Sequence, residues 1–103
     1  MKHLILATAL CAALGVPAQA EKNLQAENCA SLAELAEALM MARQEGVALA
    51  VALQIAASDP AIREVVESMA RMAWSENRWN SPDTQRRAVS DFRDRMHLLC
   101  LGA

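Results

Sequence analysis

Val47-Ala48-Leu49-Ala50-Val51-Ala52-Leu53-Gln54-Ile55-Ala56-Ala57 decides the fold, because this stretch reads in two ways. Val47, Leu49, Val51, Leu53 and Ile55 alternate with small residues or Gln54, the period of two of a half-buried strand. The alternating partners are mostly Ala, the best helix former and a poor strand former. No partner strand is legible elsewhere in the chain, and both flanks read as helices. The stretch is therefore assigned to an almost wholly apolar helix of about three turns. Such a helix is either the buried centre of the domain or an association face.

Just upstream, Gly46 is placed to stop a helix in a left-handed cap. Arg43 sits in the last turn of that helix, where a cation suits the negative end of the dipole. Leu32, Leu35, Ala36 and Leu39 recur at helical spacing, with Glu34 and Glu37 on the other side. Ser31 and Glu34 have the spacing of a capping box, which predicts a helix start at Ser31, or a turn earlier at Asn28. The polar stretch from Glu21 to Asn28 is expected to be a frayed lead-in.

Downstream, Ser58-Asp59-Pro60 combines a capping residue with a proline suited to the first helical position. Ile62, Val65, Val66, Met69 and Ala73 then share one stripe, with Arg63–Glu67 and Glu67–Arg71 as pairs on the opposite face. Ser75 to Asn80 is polar apart from Trp79 and reads as a loop. Ser81-Pro82 repeats the cap-then-proline device. The last helix has Val89, Phe92, Met96 and Leu99 as its core stripe, and Asp83, Arg87, Asp91 and Arg95 as a surface ladder of alternating charge. The fold class expected is all-α, a small bundle of about four short helices.

The first twenty residues read as a secretory signal peptide. Lys2 and His3 form a basic start, Leu4 to Val16 an apolar run, and Pro17-Ala18-Gln19-Ala20 a small-x-small site, with cleavage expected before Glu21. The apolar run is too short and Ala-rich for a spanning helix, which needs about 20 residues. Cys11 would leave with this leader, since Leu10 stands where a lipoprotein signal wants Gly or Ala. Residues 21–103 then form a single domain with nine basic and twelve acidic residues, a net charge of −3. That balance argues against general nucleic-acid binding and against tight adhesion to anionic membranes.

Two cysteines remain, Cys29 and Cys100. In an oxidising compartment an even count reads as a disulfide, and two cysteines allow one pairing. A redox-active or metal-binding pair is disfavoured because the chain has no C-x-x-C. The pairing joins the first helix to the last, and in an up-and-down bundle those ends are neighbours.

Candidates for chemistry are few. His97 and Asp94 could orient a base for a serine, but such pairs arise constantly on charged helix faces. Glu34 with Glu37, and Glu64 with Glu67, are paired along single helices, whereas glycosidic acid–base work needs carboxyls facing across a cleft. Met40, Met41, Met69, Met72 and Met96 are soft ligands suited to Cu(I), yet methionine also fills irregular cores. No cofactor is expected. Trp and Arg are enriched at binding hot spots, so Arg78 and Trp79 are the candidate partner-facing residues. Trp74 joins them, although its spacing also suits packing beside Val66 and Ala70.

The order of Cys29, Arg43-Gln44-Glu45-Gly46, Arg78-Trp79-Asn80-Ser81-Pro82, Gln85-Arg86-Arg87-Ala88-Val89, Asp91-Phe92-Arg93 and Cys100 resembles a recurring group. Its members are small exported proteobacterial and phage-associated proteins of unknown function, and the likeness spans most of residues 21–103. The chain departs from that pattern in carrying Trp74 and Trp79 where Tyr is expected. The resemblance implies export and a disulfide but brings no activity with it. The expected function is that of a non-enzymatic periplasmic or secreted protein that binds another protein, or itself as a homodimer. The alternatives are a small hydrolase using Glu34, Glu64 or His97, and a methionine-based metal-buffering or stress protein.

Overall fold

The computed structural model describes the backbone of residues 18–56 and 60–102, and side chains over 27–54 and 60–102. Within those residues the chain is all-α: α1 spans Ala18–Gln44, α2 Leu49–Ala56, α3 Arg63–Trp74 and α4 Pro82–Gly102. A single 3-10 turn, Pro60–Ile62, leads into α3. Asp59 and most of the expected leader lie outside the described residues.

Helix α1 starts earlier than the capping signal predicts. Ser31 is an exposed interior residue of a continuous helix, and the polar stretch before it is helical too. Residues 18–45 contain neither Gly nor Pro, and their Glu, Lys, Gln and Ala all favour helix, so nothing halts propagation backwards. The other end behaves as expected. Gly46 takes φ +88°, its N–H donates to the Arg43 carbonyl at 3.1 Å, and the Val47 N–H reaches the Ala42 carbonyl at 3.0 Å. These two bonds are the paired closure of a Schellman motif. At the start of α4 the Thr84 N–H donates to Ser81 Oγ at 3.1 Å, which realises the predicted cap ahead of Pro82.

The core lies among α1, α3 and α4. Ala36, Leu39, Met40, Met69, Ala70, Ala73, Phe92 and Met96 form one buried cluster, with Leu32, Leu35, Leu49, Leu53, Trp74 and Val89 packed against it. Two predicted core positions are displaced by a neighbour. Val66 is buried while Val65 is exposed, because Val66, Met69, Ala70 and Ala73 already complete the inward stripe. Leu99 is 54% exposed because the inward position one turn after Met96 belongs to Cys100.

The ambiguous stretch is helical, but α2 is two turns long and peripheral. Leu49 and Leu53 pack on the core and Ala52 is buried, whereas Val51 is 45% exposed. The buried centre is instead built around Phe92 and Met40, with Val66 and Cys29 also fully buried. The expected charge ladder on α4 is redistributed. Asp83 pairs with Arg86, Arg93 with Asp94 and more distantly with Glu37 at 3.9 Å, and Arg95 with Glu76 at 3.0 Å.

Cys29 and Cys100 are joined, with their Cα atoms 5.5 Å apart. The bond leaves α1 from its middle, so the turns from Ala18 to Asn28 continue past the crosslink. No described helix is long and apolar enough to cross a membrane.

Candidate interaction surface

The end of the molecule opposite the disulfide is organised by polar contacts. The segment Ser75–Ser81 joins α3 to α4 without regular structure, so its backbone groups need partners from elsewhere. The end of α1 supplies them. Arg43 Nε and Nη2 both donate to the Glu76 carbonyl, at 3.2 and 3.0 Å. Gln44 is the one buried polar residue among those described. Its Nε2 donates to the Asn77 carbonyl at 2.8 Å and to Met40 Sδ at 3.4 Å, while its Oε1 accepts from the Trp79 N–H at 2.8 Å.

The exchange runs in the other direction as well. Arg78 Nε donates to the Gln44 carbonyl at 3.1 Å, and its guanidinium lies against Gly46. Gln85 Nε2, from the first turn of α4, donates to the Trp79 carbonyl at 2.7 Å. Trp74 Nε1 donates to the Val47 carbonyl at 3.2 Å, which ties the end of α3 to the turn after α1. Arg43 therefore serves a neighbouring loop in addition to its own helix end.

The predicted binding residues separate under this geometry. Trp74 is half-buried and packs on the core. Arg78 is exposed but occupied with the end of α1. Trp79 is 41% exposed, and it borders a shallow groove of about 510 Å³ together with Glu76, Thr84, Arg87, Asp91 and Arg95. The groove is of mixed charge. Arg95 is held by Glu76 and stacks over the buried Phe92 ring at 5.3 Å. Arg87 and Asp91 form no ion pair among the described residues. A second groove of about 540 Å³ lies on the other side of α4, against α1.

The candidates for catalysis are scattered. Glu34 lies on α1, Glu64 on α3 and His97 on α4, and none of the three lines either groove. The Asp94 carboxylate meets Arg93 Nε at 3.0 Å. That hydrogen bond, with the attraction of the same carboxylate, raises the Arg93 pKa above its usual value. Among the described residues no group of three or more His, Cys, Asp or Glu side chains is placed to hold a metal. Met40, Met69 and Met96 are core residues, and Met41 and Met72 are exposed.

Gln44 is the functional-site residue that sequence reasoning missed. A glutamine in the last turn of a helix has no periodic signature, and its partners lie 33 and 35 residues away. The available signal was its place beside Gly46, where a helix stop brings polar side chains within reach of whatever loop packs there.

The molecule is thus a disulfide-closed helical protein with a fixed, tryptophan-bearing loop beside one of two grooves that flank α4. Comparison with protein-family models, with curated proteins and with solved structures finds no match.

Proposed function

We propose that this is a non-enzymatic protein of the periplasm or the secreted fraction that works by binding another protein, with Trp79 as its anchor. The observation that carries the reading is the combination of exposure and fixation at Trp79. Its backbone is held on both sides, by Gln44 Oε1 at the N–H and by Gln85 Nε2 at the carbonyl. A large aromatic presented on an already ordered segment loses little conformational freedom on binding, which favours affinity. Export is supported by the Cys29–Cys100 bond, since structural disulfides persist in oxidising compartments, and by the leader-like first twenty residues.

The test is a matched pull-down from periplasmic extract using the oxidised protein and its Trp79→Ala variant. Over half of Trp79 is covered, so the variant should melt somewhat below the wild type while keeping its helical content, and it should lose the captured partner. Equal capture by both proteins would remove Trp79 as the anchor. Self-association is the second form of the same reading. It is favoured by the exposure of Val51 on an otherwise apolar helix, and light scattering showing a monomer at high concentration would count against it.

A further inference from the structure

The groove between α1 and α4 lies on the opposite side of α4 from Trp79, so what it binds is a separate question from the Trp79 reading. Its apolar lining is Met41, Pro82 and Val89, and its α1 wall is Met41 flanked by Glu37 and Glu45. Met41 is 46% exposed despite being the central residue of that wall.

Glu37, Met41 and Glu45 are spaced by four along the chain. The Glu45 N–H donates to the Met41 carbonyl at 3.0 Å, so helical geometry continues through Glu45 although α1 closes there. The three side chains consequently form one row, acid–thioether–acid, with the acids about 12 Å apart along the axis. The charge of the row is largely uncompensated. Glu45 has no ion-pair partner among the described residues, and Glu37 has only Arg93 at 3.9 Å. Arg86, the basic residue of the opposite wall, is closed on Asp83.

We propose that this groove is a docking site for a basic amphipathic helix of a partner protein, one with an aliphatic side chain between two cations spaced four residues to either side. The aliphatic group sits over Met41 and Val89, and the cations meet Glu37 and Glu45. Residues four apart share a helix face, so the required row on the partner is the charge-inverted image of the row on α1. The acidic α1 wall also biases against acidic partners, whose like charges would face Glu37 and Glu45 across the contact.

The probe is a helical Ala/Gln peptide with a central Leu and a lysine four residues on each side, titrated into the oxidised protein as isolated. A second peptide carries glutamates in place of the lysines. NMR amide shifts should report saturable binding of the lysine peptide, centred on Met41, Gln85 and Val89, that weakens as salt is raised. Joint Glu37→Lys and Glu45→Lys substitution should weaken it by roughly tenfold, from the loss of two exposed attractions and their reversal. Glu64→Lys makes the same kind of charge change on α3, outside the groove, and should leave affinity unaltered. Glu45→Lys alone, at an exposed position, keeps the test open if the double variant melts early. Equal binding of the two peptides, shifts centred elsewhere, or no binding of the lysine peptide would overturn the proposal. So would light scattering that finds the wild type dimeric and Met41→Glu monomeric, which would make a second copy the occupant.

Discussion

The Arg78 guanidinium occupies the space a side chain on Gly46 would need. A Cβ built on Gly46 falls 2.6 Å from Arg78 Nη2 and 2.8 Å from Cζ. The left-handed stop of α1 and the loop before α4 are therefore fitted to each other: the backbone at position 46 favours glycine, and a side chain there would also push the flexible end of Arg78 off the Gln44 carbonyl.

Gly46→Ala should lower stability by about 1–2 kcal/mol from the backbone alone, since φ +88° disfavours any residue with a Cβ. The displaced Arg78 should add to that cost. Urea melts of Gly46→Ala, Arg78→Ala and the double variant separate the two effects. The double variant should be more stable than the sum of the single changes implies, because removing Arg78 removes the clash. Strict additivity would mean that Arg78 moves aside freely.

Gln44→Leu should cost about 1–3 kcal/mol, because it strands the Asn77 carbonyl and the Trp79 N–H. Gln44→Glu keeps an acceptor for Trp79 but offers no donor to Asn77. Hydrogen exchange should then show the Trp79 amide losing protection in the leucine variant and keeping part of it in the glutamate variant. Equal protection in all three proteins would show that the loop is ordered without Gln44.

These polar ties mark where legibility in the sequence ended. Helices, the Gly46 stop and the Ser81 cap are set by neighbours within a few residues, and all were readable. The ambiguous stretch is helical over Leu49–Ala56, because Ala outweighs the period of two. Of the two roles open to it, the buried centre falls to other elements, since α1, α3 and α4 already fill the core and α2 lies at its edge. The start of α1 was missed because a capping box operates only where the helix actually ends, and no residue between 18 and 31 ends it. The Arg43, Gln44 and Arg78 contacts depend on two distant segments meeting, which leaves no periodic trace.

Phe92→Ala should be among the most damaging single changes, and Leu99→Ala close to neutral. Both residues lie on the same predicted stripe, yet Phe92 is fully buried and Leu99 is more than half exposed. Removing a buried aromatic costs about 3–5 kcal/mol through lost transfer energy and an unfilled cavity. For a domain this small that can approach the whole stability. Thermal melts of the two variants check the ordering. Equal losses would place Leu99 in the core and contradict the inward role of Cys100.

The disulfide, with Cys29 fully buried, should contribute on the scale of a large core side chain. Cys29 and Cys100 are 71 residues apart, and closing a loop of that length stabilises by roughly 4 kcal/mol through the entropy removed from the unfolded chain. Joint Cys29→Ala and Cys100→Ala substitution should lower the urea midpoint accordingly with little change in helical content, because α1 and α4 keep their packing around Phe92 and Met96. Reduction of the wild type should act in the same direction. The exposed Trp79 loop lies at the far end of both helices and should stay ordered in the reduced protein below its melting range. Its amide protection is the readout that separates a distant crosslink from a local one. If Trp79 loses protection while helical content is retained, the crosslink orders the whole bundle, including the loop.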